Sequence, residues 1–185
     1  MDKKIGETDM KTKRIIVLIA VMYLCLSVFA QINKSINITQ SQIKFTKDIS
    51  NVYDRLSWGE GYYTDSIGLP ELPVYVKSFL IPMDAQLNGV IVSGLNKQKM
   101  QGTYFINPVQ PQIPTSIDDS ISNSGLPDPA IYNSSTPYPG KQAEIISDDN
   151  YLGYRIVTVR LYPFEYKPAA RELYICNFDF TNYNY

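Results

Sequence analysis

Residues 68–82 read Gly68-Leu69-Pro70-Glu71-Leu72-Pro73-Val74-Tyr75-Val76-Lys77-Ser78-Phe79-Leu80-Ile81-Pro82, and this stretch decides the fold. Proline fixes φ near about −65° and has no N–H, so Pro70 and Pro73 cannot sit inside a central strand, although they can precede one. The residue before each is pushed into an extended conformation. The spacing therefore predicts a stiff, extended approach to a strand over 74–81, stopped by Pro82. Along it Val74, Val76, Ser78 and Leu80 alternate with Tyr75, Lys77, Phe79 and Ile81. Both faces are largely apolar, which predicts an inner strand.

The same period-2 pattern recurs on both sides of this stretch. It predicts strands over 87–95, 103–106, 145–146, 154–162 and 173–180, with polar turns at 96–101 and at Asp148-Asp149-Asn150. The segment 154–162 is the cleanest. Arg155, Val157, Val159 and Leu161 share one face, and Tyr154, Ile156, Thr158, Arg160 and Tyr162 the other. Upstream, Ile36/Ile38 and Ile43/Phe45 mark two short stretches, while 47–67 has no clean period. No segment after residue 30 sustains a 3.6 period with caps, so helix is minor. Short strands between frequent turn signals read as an all-β fold, an antiparallel β-sandwich.

Two segments stand apart. Residues 107–142 hold seven of the twelve prolines among Ser, Asp and Asn. A loop of that length in a compact domain is either functional or mobile. At the other end, Lys11, Lys13 and Arg14 precede an apolar run from Ile15 to Phe29 that closes on Val28-Phe29-Ala30. That is the charge, length and small-x-Ala pattern of a secretory signal peptide. It is shorter than the about 20 residues that a spanning helix needs. The expected organisation is a signal peptide at 1–30 and one β-sandwich domain at 31–185. The product would be secreted, to the periplasm, cell surface or medium, with no membrane attachment after cleavage.

Composition narrows the function. The chain has no histidine, which removes Cys–His and Ser–His–Asp nucleophiles and His-based zinc sites. A carboxylate-only mechanism stays formally open, but no pair of acids stands on strongly patterned neighbouring elements. The expectation is a protein that is not an enzyme, with no metal and no cofactor. Beyond residue 30, twelve basic and fifteen acidic side chains leave a net charge near −3. Such mild acidity argues against nucleic acid as a partner. Cys25 leaves with the signal peptide, so Cys176 stands alone and forms no intramolecular disulfide; it reads as a buried strand residue. Trp58-Gly59-Glu60-Gly61-Tyr62-Tyr63 is an aromatic, glycine-punctuated loop. Trp58, Tyr62 and Tyr63 either stack a sugar or plug the edge of the sandwich.

Three pieces line up in order: Gly68-Leu69-Pro70-Glu71-Leu72-Pro73-Val74-Tyr75 with Ile81-Pro82; Tyr138-Pro139 before a strand; and Gly153-Tyr154-Arg155-Ile156-Val157 through Tyr162-Pro163-Phe164-Glu165-Tyr166-Lys167-Pro168 to Glu172-Leu173. Behind a signal peptide, this order resembles the N-terminal propeptide of gingipain-type cysteine peptidases from protease-exporting bacteria of the Bacteroidetes kind, over roughly residues 40–185. The resemblance implies a β-sandwich prodomain that covers the peptidase cleft, keeps it latent during export and assists its folding. Its partner would be the peptidase catalytic domain, in cis or in trans. The catalytic Cys and His would belong to a following domain, which this sequence, ending at Tyr185, does not reach.

In the arginine-specific members, the resemblance suggests, a basic propeptide side chain enters a pocket built for a basic substrate residue. The candidates are Lys141, ranked first because it lies in a loop, and Arg155, which begins a strand. One departure stands out. The family's last hairpin has glycine just before Glu-Leu, where this chain has Ala170-Arg171. Alanine disfavours φ > 0, so a wider turn is expected. A second reading is a stand-alone secreted binding module, with the Trp58 to Tyr63 loop as its carbohydrate or protein contact.

Overall fold

The structure is a computed structural model that describes residues 32–59, 61–81, 83, 87–111 and 125–184. The expected signal peptide at 1–30 and the middle of the proline-rich segment, 112–124, lie outside the described residues.

The strands in chain order are β1 (Ile32–Ile36), β2 (Lys44–Lys47), β3 (Asp54–Ser57), β4 (Tyr62–Tyr63), β5 (Pro73–Ile81), β6 (Leu87–Lys99), β7 (Ala143–Tyr151), β8 (Tyr154–Leu161), β9 (Phe164–Lys167) and β10 (Glu172–Asn184). Among the described residues, helix is confined to a 3-10 turn at Gln40–Gln42 and one short helix, α1 (Pro129–Tyr132). One sheet runs β4-β5-β8-β7; a second runs β1-β10-β6 with β9 also on β10; β2 and β3 form a separate ribbon. The ladders described are antiparallel. The fold is all-β, as the alternation predicts.

The two larger sheets meet through their apolar faces. From β8, Val157, Val159 and Leu161 are buried, and from β10, Leu173, Ile175, Phe178 and Phe180. Phe79 of β5 and Phe180 of β10 bring their rings to 5.8 Å across the layer. Burial in β10 changes parity at Ile175–Cys176, where both side chains are fully enclosed. There the strand stops pairing with β9, donates from the Cys176 N–H to the Pro163 carbonyl, and then takes up β1.

Pro73 occupies the first position of β5, opposite Tyr63, where a missing N–H costs least. The rest of β5 departs from expectation. β4 is only two residues long, so from Tyr75 onward the pairing described for β5 is with β8 alone. Its outer face stays open, and Leu80 is 65% exposed. β5 is an inner strand at its start only.

Other departures have local causes. β6 runs through the expected 96–101 turn to Lys99, because Lys97 and Lys99 reach Glu165 and Glu172 at 2.5 Å each. Cross-strand ion pairs of this kind make a polar stretch a good strand. Residues 103–106 form no strand; Tyr104 and Phe105 donate to the Arg171 carbonyl and the Asp54 carboxylate, and Ile106 bridges Asp54. Asp148-Asp149-Asn150 does not turn but pairs with Val157, Ile156 and Arg155. The turn is Leu152-Gly153, both at positive φ (49° and 82°), as a two-residue hairpin of matching twist requires. Pro163 ends β8, yet β9 starts at the next residue and pairs with β10 at once.

Candidate functional site

The organising motif at 68–73 is where the proline-rich segment is anchored. Gly68 N–H donates to the Val109 carbonyl at 3.0 Å, Val109 N–H to the Leu69 carbonyl at 2.8 Å, and Glu71 N–H to the Asn107 carbonyl at 2.8 Å. Pro70 and Pro108 form an antiparallel bridge within this ladder. Neither proline has an N–H to lose, so the pairing tolerates both. The returning end of the segment docks on the same strip: Asp128 N–H donates to the Gly68 carbonyl at 2.9 Å.

A side chain ties the two ends together. The carboxamide of Gln110 donates to the Gly125 carbonyl and accepts from the Gly125 N–H, both at 3.1 Å, and also donates to the Pro108 carbonyl at 2.8 Å. The approach is so close that a Cβ on Gly125 would collide with the Val109 carbonyl oxygen. Gly68 is constrained as well, with φ at +81° and Leu126 O 3.0 Å from where a Cβ would stand. Beyond the clamp, Asp128 caps α1 by accepting from Ala130 N–H, and Pro129 fills the first turn. Tyr132 is buried and donates to the Ile106 carbonyl at 2.8 Å. Burial first, then neighbouring phenols, hold its hydroxyl firmly protonated. Tyr138 then exchanges both backbone hydrogen bonds with Tyr166. The described parts of 107–142 are therefore packed onto the body.

Beside the clamp lies a cleft of about 370 Å³, walled by Gln110, Gly125 and Leu126 on one side and by Asp48, Ile49 and Tyr53 on the other. The Asp48 carboxylate accepts from the Ser50 hydroxyl and from the N–H groups of Ser50, Val52 and Tyr53. These bonds, the Ser50 hydroxyl foremost, hold its pKa below the ordinary value against a smaller effect of burial.

The sequence candidates are spread out. Lys141 precedes β7, pairs with Glu144, and holds its ammonium 5.5 Å from the centre of the Tyr162 ring. Arg155 lies at the far end of the β7–β8 hairpin and grips Asp148 with two bonds of 2.7 Å. Ala143 pairs with Leu161, while Asn150 pairs with Arg155. At about 3.3 Å per residue the two basic groups are roughly 20 Å apart, so they do not converge on one pocket. Trp58 packs edge-on against Phe164 at 5.8 Å, at the margin of the core. Tyr63 is half-buried and its hydroxyl pKa is raised by burial, then by Glu71. Tyr62 is half-exposed. Cys176 is enclosed, its thiol pushed up to about 11 by burial and then by Glu165, the opposite of an activated nucleophile. Among the described residues no cluster of acids and cysteine could hold a metal, and no helix is long and apolar enough to cross a membrane.

Gln110 and Gly125 are site residues that no pattern in the sequence marks. A side chain that closes on backbone fifteen positions away leaves no period to detect. The one available signal is Gly125 itself, at the end of the breaker run Ser122-Asn123-Ser124-Gly125, which marks a loop but not its partner.

These features define a small all-β domain with one pinned loop and no catalytic machinery of its own among the described residues. The Propeptide_C25 family model matches residues 30–178, and the chain belongs to that family; it is a propeptide of the gingipain type, not a catalytic domain. A structure that addresses the zymogenic latency of gingipain K from Porphyromonas gingivalis is similar at a TM-score of 0.69 and 20% identity, covering 86% of this chain and 89% of that one. The complex of the pro- and mature domains of RgpB from Porphyromonas gingivalis is similar at 0.68 and 18%, covering 84% and 79%. No curated protein matches the chain.

Proposed function

We propose that this chain keeps a secreted gingipain-type cysteine peptidase latent by presenting the loop between Gln110 and Gly125 to the active-site cleft, and that it assists folding of that peptidase. The observation that carries the reading is the double clamp of Gln110 on Gly125. A loop that enters a protease must resist being drawn out and cut, and pinning both ends lowers the conformational freedom lost on binding. Export through a signal peptide at 1–30, ahead of a domain at 31–185, places the pair in the periplasm, at the cell surface or in the medium.

Of the two basic candidates, Lys141 is the better placed to follow the loop into the cleft. No lysine or arginine stands between Lys99 and Lys141, and Lys141 sits outside the strands with its side chain 47% exposed. Arg155 is committed to Asp148 within a strand pair. The purified chain should inhibit mature gingipain-type peptidases, gingipain K and RgpB among them, at sub-micromolar concentration. Inhibition of none, with retention on a glycan column through the Tyr62 loop, would sink the latency reading.

A further inference from the structure

We infer that the groove between α1 and the β9–β10 turn binds an acidic side chain carried on an extended peptide, with Arg171 as the anchor for its carboxylate. The inference goes beyond latency and makes no use of the peptidase, so either can fail without the other.

The groove encloses about 410 Å³, within the size range of ligand sites. Phe105 and Tyr132 form an aromatic wall, with ring centres 5.9 Å apart and planes at 84°. Tyr53 packs on the same Phe105 ring at 4.8 Å, and the Tyr132 hydroxyl is taken up by the Ile106 carbonyl, so both rings are fixed. Pro127 and Pro168 also line the groove. They bring no N–H, and their rings offer apolar surface.

Two polar side chains at the groove have no hydrogen-bond or ion-pair partner among the described residues. The first is Arg171. Arg55, Arg155 and Arg160 each face an acid, Glu71, Asp148 and Asp65. The Arg171 guanidinium instead lies over the Phe105 ring, 4.4 Å from its centre. The nearby acids are engaged elsewhere: Glu172, next in the chain, holds Lys99, and Asp54, which accepts from the Phe105 N–H, holds Lys47. Stacking occupies the face of a guanidinium and leaves its in-plane N–H groups unused, the fork that a carboxylate accepts in two parallel bonds. At φ +54° a glycine would serve the turn without strain, so the turn itself does not call for an arginine. The second is the Asn133 carboxamide, at the end of α1. It offers a donor and an acceptor side by side, the pair that Gln110 presents to Gly125. That pair matches a peptide backbone, which a free small acid lacks. Charge at Arg171, backbone pairing at Asn133 and apolar walls between them define an acidic residue within a peptide.

The test titrates the full chain by calorimetry with the blocked peptide Ala-Pro-Glu-Tyr-Ala, with its Gln counterpart, and with propionate. The proline and tyrosine supply rings for the apolar walls. The Glu peptide should bind roughly tenfold more tightly than the Gln peptide, as the loss of a charge-assisted pair dictates. Arg171→Gly should abolish that preference. Asn133→Ala should weaken both peptides by roughly threefold and keep the preference. Lys77→Gln, which removes an exposed cation on β5, should change nothing. Equal binding of the two peptides, or no binding of the Glu peptide, overturns the inference. A loss of preference in Lys77→Gln as large as in Arg171→Gly also overturns it, since the effect is then one of net charge. Propionate that binds as tightly as the Glu peptide overturns the assignment to a peptide.

Discussion

Gln110 and Gly125 lie fifteen positions apart in sequence, yet one carboxamide holds both the carbonyl and the N–H of that glycine at 3.1 Å. An amide that pairs with both backbone polar groups of one residue in this way imitates a strand neighbour, so the loop base is closed as a sheet would close it, without a strand. Each such bond contributes about 0.5–1.5 kcal/mol net. Gln110→Ala should therefore weaken inhibition of the cognate peptidase by roughly tenfold. The melting temperature should change little, because the ladder from Gly68 to Val109 remains. Inhibition constants and thermal unfolding, measured side by side, check this; an unchanged inhibition constant removes the clamp from the mechanism.

Gly125 and Gly153 separate two reasons for a glycine. Gly153→Ala meets open space at φ +82°, and should cost about 1 kcal/mol of backbone strain. Gly125→Ala drives a Cβ into the Val109 carbonyl oxygen and should cost more, about 2–3 kcal/mol, in the range of overpacking. Denaturant midpoints for the two variants give the comparison. A Gly125→Ala protein as stable as Gly153→Ala would mean that the loop base yields.

Arg171 stands directly before Glu172-Leu173, at a turn position whose backbone favours glycine. The turn absorbs it by placing Arg171 itself at φ +54°, with its N–H on the Pro168 carbonyl at 3.0 Å. The guanidinium lies 4.4 Å from the centre of the Phe105 ring, a contact worth about 0.5–1 kcal/mol at an exposed site. Arg171→Ala keeps the strain and loses the stack; Arg171→Gly loses the stack and relieves the strain. The glycine variant should thus be the more stable of the two by about 1 kcal/mol, seen as a higher melting temperature. The reverse order would show that the turn is not strained.

Acid should destabilise the domain in one window. Burial alone would raise the Glu144 carboxyl above its usual 4.5, but hydrogen bonds from Lys141 and Tyr162 hold it below. The paired guanidinium of Arg155 lowers Asp148 from 3.8, and Lys99 lowers Glu172 from 4.5. A carboxyl whose folded pKa is depressed contributes stability that is present above its unfolded pKa and lost as pH falls through the folded one. Melting temperature should therefore fall below about pH 4.5. With no histidine in the chain, it should be level between about pH 6 and 8. A thermal transition that moves by several degrees in that neutral interval contradicts this assignment.

The strands were legible where packing is two-sided and periodic. Tyr154 to Leu161 alternates because β5 and β7 flank it and β10 covers one face. Pro70 and Pro73 were legible because proline acts on its own backbone, whatever surrounds it. What escaped was stability drawn from residues far away in sequence. Lys97 and Lys99 look like turn residues until Glu165 and Glu172 stand opposite them, and Asp148 looks like a turn residue until Arg155 grips it. Gln110 is one glutamine among several until Gly125 is brought to it. Lys141 and Arg155 are candidates by their charge alone, and charge does not reveal that the register of β7 on β8 sets them toward opposite ends of a hairpin.

The order of strands has a consequence for how such a domain could be dismantled. Every strand before the pinned loop, β1 to β6, precedes Gln110, and every strand after it, β7 to β10, follows Gly125. Yet each large sheet draws from both groups, β4 and β5 with β7 and β8, and β1 and β6 with β9 and β10. A single peptide cut between Gln110 and Gly125 would therefore leave two interlocked fragments that still share one core. Nicking the loop and discarding the domain are separate events, and the second requires the halves to come apart.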